Sequence, residues 1–172
     1  DITERKNIEK ALKRSENVLN ESQKISKIGG WEYNVESGEA YYSNEVYNIH
    51  GITNNGVPLN VDGSLEFYHL EDRGLVLESF TKAISHGIPY DIDVRFINKR
   101  SENMWVKTVG KPISKNGKIV SVLGTLLDIT ERKEAEKTIN NEILRFQKTL
   151  NAIDAIVYVA DIHTYELLFL NQ

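Results

Sequence analysis

The spacing of apolar and polar residues changes period several times along the chain. Residues 3–27 are highly charged, with Ile8, Ala11, Leu12, Val18, Leu19 and Ile25 forming one stripe at helical spacing. Asp1 with Glu4 suits an N-terminal capping pair, Thr3 is a competing cap, and Gly29-Gly30 reads as the stop. Trp31, Tyr33 and Val35 then alternate with Glu32, Asn34 and Glu36, which predicts a half-buried strand. Ser37-Gly38 turns the chain into a second strand from Glu39 to Ser43. Residues 44–70 carry short helical pieces broken by Gly51, Gly56, Pro58 and Gly63. A longer helix follows from about Asp72 to His86, with Val76, Phe80, Ala83 and Ile84 on one face and Gly87-Ile88-Pro89 as its stop.

Three strands come next. Tyr90, Ile92, Val94 and Phe96 alternate with Asp91, Asp93 and Arg95, and a turn at Lys99–Asn103 leads into Met104–Ile113. Asn116-Gly117 predicts a tight hairpin, because both central positions take positive φ. The last strand, Lys118 to Leu127, runs into a second helical pattern. There Ile139, Ile143, Phe146, Leu150 and Ile153 repeat at alternating spacings of four and three. Hairpin-length turns make the late strands antiparallel. Helices grouped between two sets of strands predict an α+β fold, a five-stranded antiparallel sheet with helices packed on one face.

A repeat sets the domain plan. Asp1-Ile2-Thr3-Glu4-Arg5-Lys6 recurs verbatim as Asp128-Ile129-Thr130-Glu131-Arg132-Lys133, and Glu9-Lys10 recurs as Glu136-Lys137 at the same offset of 127. The register holds further on, taking Trp31 to Tyr158, Asn34 to Asp161, Glu39 to Glu166, Tyr42 to Phe169 and Asn44 to Asn171. The plan expected is a connector helix over 1–27, a domain over 28–130, a second connector helix over 131–153, and the start of another copy over 154–172. The opening at Asp1, inside a helical pattern, suits a piece cut from something longer. Ile156–Asp161 and Glu166–Leu170 read as two strands without their sheet, expected to be disordered or to borrow an edge elsewhere.

Composition narrows the chemistry. A net charge of -4 without a Lys/Arg cluster among aromatics gives no nucleic-acid footprint. Zero Cys excludes disulfides, thiolate metal sites and Cys-adduct photochemistry. No apolar run reaches the ~20 residues that span a bilayer, so no membrane contact is expected. His69 lacks neighbours at metal-ligand spacing and suits a helix-entry role, while His50, His86 and His163 lie in turn-like contexts. Asp91, Asp93 and Arg95 share an outer strand face with no nucleophile beside them. No catalytic set, no metal site and no phosphate-cradling loop is found.

The residues resemble the PAS superfamily, closest to its "PAS fold 3" branch. Gly30-Trp31-Glu32-Tyr33 resembles the opening strand, and His69-Leu70-Glu71-Asp72-Arg73 the entry to the long helix, with Leu70 where the family has Pro. Tyr90–Phe96 with Trp105-Val106-Lys107 resembles the central hairpin, and Gly124 to Lys133 the family's exit. Arg100-Ser101-Glu102 replaces the usual Asp-Gly, so a looser turn is expected there.

The resemblance implies a sensory and signal-transmission module of a multidomain, cytoplasmic sensor histidine kinase, without catalysis of its own. Asp128, Thr130 and Glu131, with Trp105 beside them, are the expected junction between the last strand and the outgoing helix. Tyr42, Tyr47, Phe67, Phe80, Phe96 and Leu126 are expected to line a pocket between sheet and helices. No cofactor is called for: an unknown small molecule fits the reading, and a flavin held without a covalent bond has a place in it, but no residue demands a flavin or a haem. The expected partners are a second copy, as a parallel homodimer through the connector helices, and adjacent PAS or kinase domains. Two rival readings remain, a ligand-free dimerisation spacer and a haem- or flavin-based redox or gas sensor.

Overall fold

The computed structural model describes residues 2–54, 61–152, 158–161, 163, 164 and 166–170. Its elements run α1 (Ile2–Ser26), β1 (Ile28–Asn34), β2 (Ala40–Tyr42), α2 (Asn44–His50), α3 (Val61–Leu65), α4 (Arg73–His86), β3 (Tyr90–Ile97), β4 (Asn103–Lys115), β5 (Lys118–Asp128), α5 (Thr130–Asn151), β6 (Tyr158–Ala160) and β7 (Leu167–Leu170). They fall into two units, residues 1–130 and 131–172.

In the first unit the strands order as β2-β1-β5-β4-β3, all neighbours antiparallel. The hairpins β3–β4 and β4–β5 follow the alternation of the sequence. The β4–β5 turn is closed by Asn116 and Gly117 at φ 53° and 77°, the two positive values that such a turn needs. The long-range pairing is β1 with β5, from Ile28↔Leu127 to Asn34↔Ser121, which places the first strand of the unit against its last.

Phe96, Val94, Val106 and Leu126 on the sheet and Val46 and Ile49 on α2 form the buried core. Glycines permit its closest approaches. A Cβ on Gly29 would stand 2.5 Å from Val46 Cγ2 and 2.7 Å from Val46 N, so α2 can dock on β1 only there. Gly29 and Gly30 are thus strand residues and not a helix stop; α1 ends at Ser26, and Lys27 makes the exit at φ 52°. Asp1, and with it the Asp1–Glu4 cap, lies outside the described residues.

One other expectation is corrected. The turn at 98–102 is not loose: buried Asn98 accepts from the N–H groups of Arg100 and Glu102, both at 3.0 Å, through its Oδ1. Asp72, just before α4, makes no side-chain cap bond. Its carboxylate instead accepts from Arg95 N at 2.8 Å, Nε at 2.9 Å and Nη2 at 2.6 Å, tying the helix entry to β3. The Arg95 guanidinium and amide hold the Asp72 carboxyl below the usual carboxylate range.

In the second unit, α5 carries Ile139, Ile143 and Phe146 exposed, at 60%, 50% and 64%. Ile153 lies outside the described residues. β6 and β7 pair antiparallel with each other, where disorder or a borrowed edge was expected.

Candidate functional site

Two features of the first unit stand out, a cavity on the helix-covered face and a knot of hydrogen bonds where the chain leaves the sheet.

The cavity measures about 60 Å³. Its floor follows from register. Trp31, Gly124, Gly110 and Tyr90 lie side by side across four strands. The absent side chains of the two glycines let the Trp31 and Tyr90 rings stack over them, at 6.5 Å between centroids and 22°. Phe80 from α4 meets Trp31 at 6.4 Å and Tyr33 edge-on at 5.1 Å, closing one wall.

Hydroxyls supply most of the polarity. Ser64 hydrogen-bonds Tyr42, and Thr108 bonds both Tyr68 and Tyr90. Burial pushes all three phenols upward, so they stay protonated and can donate. No Asp, Glu, Lys or Arg lines the cavity among the described residues.

His50 also lines it, and its standing is corrected: the sequence offered only a turn-like context, but the residue closes α2 and is 2% exposed. Its ring meets Phe67 and Phe96 edge-on at 4.7 and 5.0 Å. Nδ1 bonds the Val46 carbonyl at 2.7 Å, while Nε2 is buried without a partner among the described residues. Burial pushes the His50 pKa down, which keeps the ring neutral. A carbonyl only accepts, so Nδ1 carries the proton and Nε2 a bare lone pair.

Of the six aromatic and aliphatic residues read from sequence as pocket lining, Tyr42, Phe80 and Leu126 stand on the wall. Tyr47, Phe67 and Phe96 do not: Phe96 is 0% exposed in the core with Phe67 stacked on it, and Tyr47 packs edge-on behind Tyr42. Trp31, Tyr68, Tyr90 and Thr108 were missed. Glycine in the middle of a strand was the available signal, since it marks a close approach.

The knot joins Asp128, Ile129 and Thr130 to β4 and to the end of α1. Ile129 N donates to the Trp105 carbonyl at 2.9 Å, and Trp105 N donates to Thr130 Oγ1 at 3.0 Å. Thr130 donates its N–H and its hydroxyl to Asp128 Oδ1, at 2.9 and 2.6 Å. Asp128 N in turn donates to the Lys27 carbonyl at 3.3 Å, next to the end of α1. Trp105 serves through its backbone. Glu131 lies in the first turn of α5, where the helix dipole favours a carboxylate.

The other candidates are structural. The backbone N–H of His69 donates to the Arg95 carbonyl, and Lys107 bridges Asp91 and Asp93 on the outer sheet face. Among the described residues no group of three metal-binding side chains forms.

A flavin or haem fits this cavity poorly. The chain has no thiol, no amide or charged side chain lines the described wall, and pockets for such groups run to several hundred Å³.

A sheet that covers a small cavity and feeds its last strand directly into a long helix defines a sensory α+β module. The match to a known family agrees: the sequence model described as PAS fold fits residues 39–126, and the chain belongs to that family. A Blue-light-activated histidine kinase of Brucella ovis is 31% identical over 167 residues, covering 95% of this chain and 33% of the relative. The chain thus spans about a third of the length of that curated relative. A sensory box histidine kinase/response regulator from Burkholderia thailandensis superposes at TM-score 0.60 with 21% identity, over 76% of this chain and 98% of that one. A Light-Oxygen-Voltage domain solved in work with a flavin analogue gives TM-score 0.53 with 14% identity, over 74% and 96%. Identities this low carry the fold alone. No helix among the described residues is long and apolar enough to cross a membrane.

Proposed function

We propose that this chain is the sensing and relay segment of a larger, multidomain histidine kinase. Occupancy of the cavity, or a partner's contact, alters how the sheet packs on its helices. The Asp128–Thr130 knot passes that change to α5. The observation that carries the reading is the Lys27–Asp128–Thr130 linkage. It brings the end of the incoming helix and the start of the outgoing one to the same strand end, with Trp105 of the neighbouring strand as the brace. Exposed apolar residues at matching repeat positions, Leu12 with Ile139 and Leu19 with Phe146, support a parallel homodimer along the connector helices.

A double-mutant cycle in the full-length parent tests the relay. Leu77→Trp, at the edge of the cavity, should change the rate of kinase phosphorylation about five-fold or more, the usual scale of coupling between sites. Asp128→Ala should cost the fold only about 1 kcal/mol while abolishing the response to Leu77→Trp. A response of undiminished size in the double mutant would refute the relay.

The name of the Brucella relative favours a second reading, blue-light sensing through a bound chromophore, against the fit of the cavity. A visible absorption band in the purified protein would establish it.

A further inference from the structure

The face of the five-stranded sheet turned away from the cavity carries a pattern of its own. β5 is the middle strand, with β1 and β2 on one side and β4 and β3 on the other. Register sets Tyr41, Glu32, Leu123 and Lys111 in one row across β2, β1, β5 and β4. Side chains alternate along a strand, so these four point away from the inward positions of Tyr42, Trp31, Val122 and Gly110, and all four are exposed. Other charges on this face are matched within the chain: Lys107 bridges Asp91 and Asp93, and Arg95 holds Asp72 and Glu71. Glu32 and Lys111 form no ion pair among the described residues. They flank β5 at two strand spacings, about 10 Å, too far to reach one another. Between them Leu123 is 52% exposed, with Val109 and Leu127 half-buried in the rows beyond it.

We infer that this face is a contact between two copies of the chain, packed sheet on sheet about a two-fold axis that runs along β5. Such an axis carries β1 of one copy over β4 of the other. Leu123 then meets Leu123 at the centre, and Glu32 of each copy meets Lys111 of the other, once on either side. An axis across the strands would set Glu32 on Glu32 and Lys111 on Lys111, which repel. The charges therefore select the axis. Sheets packed face to face keep their strands within about 30° of one another, so the central row stays matched despite the twist. An axis along β5 also keeps the two copies parallel, the sense in which the connector helices are proposed to pair, but the sheet contact stands on its own residues.

Crosslinking of the whole chain tests the inference. The sequence has no Cys, so one introduced thiol reports one position. Leu123→Cys lies on the axis, whereas Tyr41→Cys, equally exposed, lies two strands from it, and its two copies stand about 20 Å apart. A short bis-maleimide should join Leu123→Cys chains into dimers and leave Tyr41→Cys chains largely single. In the Leu123→Cys chain, Glu32→Lys or Lys111→Glu alone opposes like charges and should cut the yield about fivefold or more. The two reversals together should restore it. Ile139→Cys reports the connector helices separately, so either contact can fail without the other. Equal crosslinking at positions 41 and 123 overturns the inference, as does a yield that neither reversal lowers or that the double reversal leaves as poor as the singles. Crosslinking at neither position overturns it too, and leaves the face to solvent or to a different partner.

Discussion

The chain makes one turn twice, 127 residues apart, in two different settings. At the end of β1, Asn34 Oδ1 accepts from the N–H groups of Glu36 and Ser37 at 2.9 and 3.0 Å; at the end of β6, Asp161 Oδ1 accepts from those of His163 and Thr164 at 2.7 and 2.9 Å. The bond that closes the strands, Asn34 N to the Glu39 carbonyl, is matched by Asp161 N to the Glu166 carbonyl, both at 2.9 Å. Even the hydroxyl contact recurs, Ser37 accepting from Glu39 N at 3.3 Å and Thr164 from Glu166 N at 3.4 Å. The strands differ. β1 and β2 pair evenly through Trp31↔Tyr42, Glu32↔Tyr41 and Tyr33↔Ala40. β6 and β7 keep only the equivalent of Tyr33↔Ala40, the Ala160↔Leu167 rung next to the turn, and slip beyond it to Val159↔Phe169 and Tyr158↔Leu170. Turn geometry is therefore a local property of an Asn or Asp and the residues two and three places on. Register is imposed from outside, by the β5 strand that pairs with all of β1 and has no equivalent beside β6 among the described residues of its unit.

The largest effect should come from removing that outside constraint. A Cβ on Gly124 would meet both the Val109 carbonyl and the Trp31 ring. Gly124→Ala should destabilise the first unit by about 3 kcal/mol or more, since backbone cannot yield as a flexible side chain can. Urea unfolding followed by Trp fluorescence measures the loss, while the amide shifts of His163 and Thr164 should stay where they are. Concerted movement of both turns would mean that the two hairpins are not independent.

A smaller and more selective effect follows from deleting each turn's acceptor. Asn34→Ala should cost the five-stranded sheet about 1 kcal/mol and leave it folded, because the β1–β5 pairing still fixes the strand. Asp161→Ala should abolish the β6–β7 pairing, a two-stranded ribbon being marginal in water without its turn. Amide hydrogen exchange at Tyr33 and Ala160 reports the contrast. Equal protection at the two positions in the unmutated chain would already contradict it.

These differences also mark what could be read from the chain. Periodicity gave the strand order in sequence, the α+β class and the positive-φ hairpin at Asn116-Gly117, because each depends on neighbours in the chain. Tyr42, Phe80 and Leu126 were recognisable as pocket residues for the same reason: each lies on the apolar side of its own element. His50 was not. Its burial depends on α2 docking against β1 at Gly29, and nothing between residues 44 and 51 announces it. Trp31 and Tyr90 are adjacent through two glycines on two other strands, a fact of four-strand register that no single segment contains. Asp72 likewise reads only as the start of a helix until β3 brings Arg95 to its carboxylate.

The smallest effect separates the turns by charge. Asp161 is held below the usual carboxylate range by the Thr164 and His163 N–H groups, whereas Asn34 does not titrate. A carboxyl whose pKa is depressed in the folded hairpin stabilises it above the unfolded value of ~3.9, and that contribution fades as pH falls through the lower folded value. Acid should therefore loosen the second turn with a midpoint below ~4, seen as movement of the His163 and Thr164 amide resonances toward coil positions. The Glu36 and Ser37 resonances should hold until the first sheet itself unfolds. Asp161→Asn gives the second turn the acceptor of the first and should remove the pH response without disturbing the turn. If Asp161→Asn retains the acid transition, the turn is governed by other carboxylates in the second unit, and the local account of its geometry fails.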